Sequence, residues 1–399
     1  MQNINLSINI STATPVNIDI NIVAPEITKT NNEYGSDNLD NAHVENETDV
    51  FFEESILYHY MYVSNLLINK FDGKLKRVDI KNRIVYKFEN HRWILKSDMD
   101  TMFALLIVND IIPQYQQYLT NKYANTSNTD NSKNEKLIIS LIHKLQTHII
   151  MNNIITQSYD LIYYPEFIKN FYNNNRSICF ENGIYDYNAK IFRDGEVGDY
   201  NRLSTGYEYN RHLFKGSVAH LELRDFLKKI KPDKTERRDL LKLIAGAFFS
   251  LKLQFYFFVG TGSNGKSVLM ELIKCAAGTM ATNINCGCID NVFNIEISDI
   301  CDRRIYHVAT AASSLSILDD NIQINEANEI FKPRSTFFYI DNEIPITNCD
   351  PVIIPFESVF ISPHYPLTGK NCYWADTKIH EKIPQWAPLF MAKLIKYGY

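Results

Sequence analysis

The eight residues Gly260-Thr261-Gly262-Ser263-Asn264-Gly265-Lys266-Ser267 constrain this chain more than any other stretch. They read G-x-x-x-x-G-K-S and follow the apolar run Phe255 to Val259. Glycines reach backbone conformations closed to other residues and let several N–H groups turn toward one anion. In a loop of this pattern Lys266 reaches the β- and γ-phosphates and the Ser267 hydroxyl ligates Mg²⁺. Phe255 to Val259 predicts a buried strand. Lys266 to Ala277, stopped by Gly278, predicts a helix whose N-terminus faces the anion.

Length and composition bound the rest loosely. A chain of 399 residues with 45% hydrophobic content suggests two to three domains with sizeable cores. The net charge of −5 excludes neither nucleic acid nor protein partners, because a basic face can sit within a slightly acidic total. The seven cysteines, Cys179, Cys275, Cys286, Cys288, Cys301, Cys349 and Cys372, are odd in number and form no C-x-x-C pair. They read as reduced thiols in a cytosolic compartment. Cys286, Cys288 and Cys301 lack a fourth zinc ligand at a usual spacing and read as structural thiols. No basic segment followed by an apolar core opens the chain, so a cytoplasmic, unsecreted protein is expected. The most apolar stretch, Leu243 to Val259, is interrupted by Ser250, Lys252 and Gln254, which predicts a helix and then a strand, not a membrane span.

Along the chain, residues 1–50 are poor in aromatics and rich in Asn, Thr, Ser and acids, a composition expected to be mostly disordered. Alternation over Ile4 to Ile10 and Val16 to Ile22 leaves a hairpin open as an alternative. Residues 51–215 predict a mixed α+β unit. Its elements are a helix over Glu53 to Asn69, short strands from Lys76 to Phe88 and over His91 to Leu95, and a helix over Met102 to Ile112 stopped by Pro113. A polar loop over Ala124 to Lys136 and a helix over Leu137 to Ile155 follow. Arg176 to Tyr209 predicts short strands turned at Asn182-Gly183 and Asp194-Gly195. Residues 216–399 predict a second unit that opens with helices over Leu221 to Ile230 and Thr235 to Leu251. Lys228, Lys229, Lys231, Lys234, Arg237 and Arg238 alternate with Asp233, Glu236 and Asp239 and read as a solvated turn. Trp93, Trp374 and Trp386 read as core anchors, and His307 as a satisfied core histidine.

Three motifs together resemble the superfamily 3 helicases of the poxvirus-type and phage-type primase-helicases. The loop has Asn264 before its last glycine. The block Phe180-Glu181-Asn182-Gly183-Ile184-Tyr185-Asp186, with Phe192-Arg193 and Tyr207-Glu208-Tyr209, is similar to the one preceding the helicase module in that family. Thr336 to Pro345, an apolar strand ending in Asn342-Glu343-Ile344-Pro345, is similar to the family's third motif. The resemblance implies an AAA+-like P-loop core with a parallel sheet and flanking helices. It also implies ATP or dATP with Mg²⁺ as cofactors, DNA as partner and a hexameric ring or another replication protein as assembly. In its terms Lys266 neutralises phosphate charge and Asn342 orients water for in-line attack.

Three departures accompany it. The strand that matches the family's second motif, Arg304 to Ala309, runs into Thr310-Ala311-Ala312-Ser313 with no carboxylate to act beside Mg²⁺. Asp319 and Asp320 read as solvated loop acids. A rival alignment makes Phe337 to Ile340 the second strand and puts the metal-associated carboxylate at Asp341 or Glu343. Between the two strands no DNA-gripping loop is recognisable, and Cys349-Asp350-Pro351 stands where an arginine pair is expected, with Arg303 and Arg304 reading as surface charges. No primase domain before residue 51 and no winged-helix domain after Trp386 to Tyr397 is expected. Weakened ATP hydrolysis follows from this, with two alternatives: a non-catalytic scaffold or mixed-ring subunit, and a working helicase using Asp341 or Glu343.

Overall fold

Hydrophobic periodicity changes from helical to alternating and back as the chain proceeds, and the architecture follows it. The structure is a computed structural model that describes residues 56–81, 83–97, 99–124, 131–172, 177–210, 216–249, 254–285, 305–309, 336–343 and 351–398. The disorder or hairpin expected in residues 1–50 lies outside these, as do Cys286, Cys288, Cys301, Arg303, Arg304, Thr310 to Ser313, Asp319, Asp320, Pro345 and Cys349.

The N-terminal half begins with α1 (Ile56–Asn69) and an antiparallel sheet of β1 (Leu75–Arg77), β2 (Val85–Glu89) and β3 (Arg92–Lys96). Asn90 and His91, at φ 50° and 63°, make the tight turn between β2 and β3. Then come α2 (Asp100–Leu106), a π-helical turn (Ile107–Ile111), α3 (Ile112–Ala124), α4 (Asn131–Leu145), α5 (His148–Leu161) and α6 (Phe167–Tyr172). Pro113 does not stop the helix as the sequence suggests. The wider turn just before it absorbs the missing N–H and the ring, so the chain stays helical through α3. The single helix expected from Leu137 to Ile155 is two, broken at Gln146 and Thr147, and α4 already begins within the expected polar loop. Val63, Leu67, Phe103, Ile107, Leu145 and Ile154 form the centre of this helical core, all fully buried.

A second antiparallel sheet joins β4 (Ser177–Phe180), β5 (Gly183–Asp186) and β6 (Ile191–Arg193). Phe180 pairs with Gly183, so the turn is made by Glu181-Asn182, one residue earlier than the Asn-Gly dipeptide suggests. Asp194-Gly195 turns no hairpin; it leads into a 3₁₀ turn at Val197–Asp199.

The second half comprises α7 (Val218–Ile230), α8 (Lys234–Phe249), β7 (Gln254–Val259), α9 (Lys266–Ala277), β8 (Ala281–Asn285), β9 (Ile305–Ala309) and β10 (Thr336–Asp341). It ends with β11 (Val352–Pro355), β12 (Val359–Ile361), β13 (Cys372–Trp374) and α10 (Ile379–Tyr397). The helix α10 starts earlier than the expected Trp386 and runs through Pro384 and Pro388. Five strands make an all-parallel sheet in the order β11-β7-β10-β9-β8, so a mixed α/β architecture with a parallel sheet and helices is present. Rings stacked across β7 and β10, Phe255 on Phe337, Tyr256 on Phe338 and Phe257 on Tyr339, sit 5.1–5.4 Å apart and fix the register.

The core around this sheet contains Phe258, Ile273, Phe338 and Phe390, and it also takes in Ile178, Phe180 and Tyr185 of the preceding sheet. Trp93 and Trp386 are core residues as expected. Trp374 is not: it is 56% exposed, with its indole N–H donated to the Tyr365 carbonyl. Lys231 departs from the solvated-turn reading as well, being 5% exposed, paired with Glu236 and set over the Phe356 ring. The side chain of His307 on β9 lies outside what is described.

Candidate functional site

The loop Gly260 to Gly265 leaves the carboxyl end of β7, and Lys266 is the first residue of α9, as the spacing predicts. Its curvature comes from three residues at positive φ: Gly262 at 91°, Ser263 at 45° and Gly265 at 84°. Two glycines are needed for space as well. A Cβ on Gly260 would stand 2.3 Å from the Asn264 amide nitrogen and 2.5 Å from the Phe356 carbonyl oxygen; one on Gly265 would stand 2.6 Å from the Ile230 side chain.

Lys266 sits inside the curl, 5% exposed, and donates from Nζ to the Gly260 carbonyl at 2.6 Å. The same carbonyl accepts the Gly262 N–H at 2.8 Å. Burial lowers the Lys266 ammonium from its usual range, and the carboxylate of Asp341 opposes that shift. Asp341 is the last residue of β10 and lies in register with Val259, the last residue of β7, so the two strands deliver the acid and the loop side by side. The Tyr339 hydroxyl donates to Asp341 Oδ2 at 2.7 Å and holds the carboxyl below the usual carboxylate range, against the effect of burial; the Asn342 backbone N–H, donated to Oδ1 at 2.6 Å, adds to the lowering. Asn342 follows directly. Its side-chain oxygen lies 3.9 Å from the point where a Cβ on Gly262 would stand, which brings it against the loop. Asn342, Glu343, Thr261 and Ser267 are exposed; Ser267 lies in the first turn of α9, open to the solvent side of the loop.

The sequence-predicted residues therefore converge: Gly260 to Ser267, Asp341 and Asn342 meet where β7 and β10 end. Between those strands' ends and α9 the arrangement offers a helix N-terminus, a cation and a nearby carboxylate, the combination that suits a phosphate anion with a hard divalent cation. The glycines whose space is already taken by Asn264, Phe356 and Ile230, and the cation folded into the curl, fit phosphates as ligand and leave no room for bulkier loop residues. Ser267 and Asp341 would flank Mg²⁺. Among the described residues no group of three His, Cys, Asp or Glu side chains could by itself hold a metal ion, which agrees with Mg²⁺ taking much of its shell from phosphate and water.

Anchors far along the chain hold the loop, and nothing local in the sequence marks them. The Asn264 side chain, 2% exposed, donates to the Phe356 carbonyl at 3.3 Å. Phe356 donates its own N–H to Val259 at 2.8 Å, and Phe360 donates its N–H to the Ser263 carbonyl at 2.7 Å. Asn264 thus has a structural task inside the motif, tying the exit of β11 to the loop. At the other end of α9, the Tyr207 hydroxyl donates to the Ala276 carbonyl at 2.7 Å, and the Thr279 N–H to the Ser204 carbonyl at 2.9 Å. Among the described residues no helix is long and apolar enough to cross a membrane.

Residues 56–236 match the family described as D5 N terminal like. The chain is 30% identical over 398 aligned residues to the product named "Putative helicase L207/L206" of Acanthamoeba polyphaga mimivirus, a match covering 88% of this chain and 40% of that protein. It is 31% identical over 139 residues to "Putative helicase 121R" of Invertebrate iridescent virus 3, covering 34% of this chain and 15% of that one. The chain thus spans about two fifths of the length of the first relative. Among solved structures, the C-terminal region of NrS-1 in its apo A form aligns at 16% identity with a TM-score of 0.40, covering 84% of this chain and 68% of that one.

Proposed function

We propose that this chain, a member of the D5-type viral helicase family, is a helicase-like protein of viral DNA replication that holds ATP or dATP with Mg²⁺ on the loop 260–267. Its core is of the AAA+-like superfamily 3 type, and its hydrolysis of the nucleotide is weak. The observation that carries the reading is the convergence of the curled loop, with Lys266 inside it, and the ends of β7 and β10. Phosphate oxygens compete with the Gly260 carbonyl for the Lys266 ammonium, the Ser267 hydroxyl completes the metal's shell, and Asn342 orients water toward the terminal phosphate. DNA is the polymer acted on, and a homo-oligomeric ring or a replication partner is the assembly.

Weak hydrolysis follows from the missing carboxylate after β9 in the sequence. A second reading, a working ATPase, draws on the position of Asp341. This carboxylate ends the strand hydrogen-bonded to β7 and is coupled electrostatically to Lys266. A third, a nucleotide-holding scaffold, differs only in turning over nothing.

Binding and hydrolysis measured together on the purified chain, with and without single-stranded DNA, separate these readings. Lys266→Ala is expected to lower ATP affinity at least tenfold, because a charge-assisted contact worth about 1.5–3 kcal/mol is lost. Ordinary translocase turnover that Asp341→Asn abolishes would establish the second reading. Binding with no turnover and no stimulation by DNA would establish the third. Unaltered ATP affinity in Lys266→Ala removes the loop from the account altogether.

A further inference from the structure

The phosphate loop has a second flank. Asn342 approaches the Gly262 side, whereas the Gly265 side forms the floor of a cleft of about 200 Å³, together with Ser263. The cleft is walled by Phe226 of α7, Val268 of α9, Phe360 of β12 and Ile379 of α10, with Asp376 as its charged lining residue. Pockets for drug-sized ligands run to about 300–1,000 Å³, so this one suits a flat heterocycle and not a whole nucleotide.

Its walls are fixed in place. Phe360 is tied to the loop by the backbone bond to Ser263 at 2.7 Å, and its ring lies 5.8 Å from that of Tyr373. The Phe226 ring lies 5.5 Å from that of Trp386, which is 2% exposed. Both rings also approach Gly265: a Cβ there would stand 3.3 Å from the Phe360 ring and 3.7 Å from the Phe226 ring. An aromatic heterocycle entering the cleft meets apolar and aromatic surfaces that need no rearrangement.

Asp376 supplies the polar element. Its Oδ1 accepts the Lys378 N–H at 2.9 Å and its Oδ2 accepts Lys382 Nζ at 2.8 Å. The Lys382 bond holds this carboxyl below the usual range, so it faces the cleft as an ionised, acceptor-only group. Such a group takes an amino N–H and repels a carbonyl oxygen.

We propose that this cleft seats the base of the nucleotide whose phosphates the adjoining loop holds, and that Phe226, Phe360 and Asp376 select adenine, its exocyclic amino group directed at Asp376. The inference rests on the reading of the loop given above. The cleft begins where the cradle ends, since Ser263 and Gly265 belong to both.

Calorimetric titration of the whole chain, in Mg²⁺, with ATP, ITP and inorganic tripolyphosphate tests it. ITP replaces the amino group by a carbonyl, and tripolyphosphate removes base and sugar altogether. The expected order is ATP about tenfold or more tighter than tripolyphosphate, from stacking, with ITP in between. Phe360→Ala is expected to bring ATP down about tenfold toward tripolyphosphate while tripolyphosphate itself is unchanged. Asp376→Asn, on a surface loop and so independent of core packing, is expected to level ATP and ITP. Equal affinity of wild type for ATP and tripolyphosphate overturns the base cleft and leaves the phosphate loop standing. An ATP preference over ITP that persists in Asp376→Asn overturns the assignment of Asp376. Failure of both ATP and tripolyphosphate to bind wild type overturns the loop reading, and the cleft with it.

Discussion

At the scale of single residues, steric room decides more than charge. Gly260 and Gly265 each stand where any Cβ would collide with atoms held by other elements. Gly260→Ala is expected to cost about 1–3 kcal/mol in urea unfolding, typical of overpacking, and to weaken ATP binding as Asn264 and Phe356 are pushed apart. That these positions are glycine was legible from the motif; why Gly260 must be was not, because its neighbour Phe356 arrives from another strand. His59 shows a different limit. It is 1% exposed, shares a hydrogen bond with the Tyr115 hydroxyl, and its pKa is lowered to about 4 by burial and, secondarily, by Lys122. Below the ordinary value of about 6.5 the unfolded chain takes up a proton that the folded chain refuses until about pH 4. Stability is therefore full above that window and declines as pH falls through it. Between pH 7 and pH 5 the loss from this group is on the order of 2 kcal/mol, and His59→Gln is expected to remove it from the difference between urea midpoints at the two pH values. A histidine on a helical stripe gives no sequence signal for this, since the shift comes from packing on α3.

At the scale of elements, the strand, loop and helix from Gln254 to Ala277 could be read almost to the residue, because an apolar run, a glycine-rich turn and a 3.6-residue period follow one another without conflict. The helices around Pro113 and Pro384 could not. Local rules make proline a terminator, and only the π-helical turn in the first case and the packing of α10 on α9 and α8 in the second keep the chain helical. Strand order was equally hidden. That β10 lies between β7 and β9, so that Asp341 ends beside Val259, follows from pairing between segments more than seventy residues apart. Phe338, fully buried at the centre of β10, is the residue on which that placement turns. Phe338→Ala is expected to cost about 3–5 kcal/mol and, by loosening β10, to weaken nucleotide binding beyond the loss of stability alone.

At the scale of the whole molecule, the division that composition suggests near residue 215 does not follow the hydrophobic cores. Ile178, Phe180 and Tyr185 share the core of the parallel sheet, and Tyr207 and Ser204 bond the far end of α9. The same segment reaches the other way: Trp93 donates its N–H to Asn201 at 2.7 Å, and Arg92 pairs with Glu181 at 2.9 Å. A fragment beginning at residue 177 is therefore expected to unfold at higher urea than one beginning at residue 216, and the shorter one to expose apolar surface detectable by dye binding. Timing is a further consequence of how the loop is anchored. Asn264 closes onto Phe356, 92 residues later in the chain, so a ribosome has made the whole glycine-rich segment long before the partner that shapes it exists. Triphosphate cannot template early stages of synthesis in such a protein; it can reward only a chain translated past Phe360, which makes ligand capture a mark of completed folding and not an aid to its beginning.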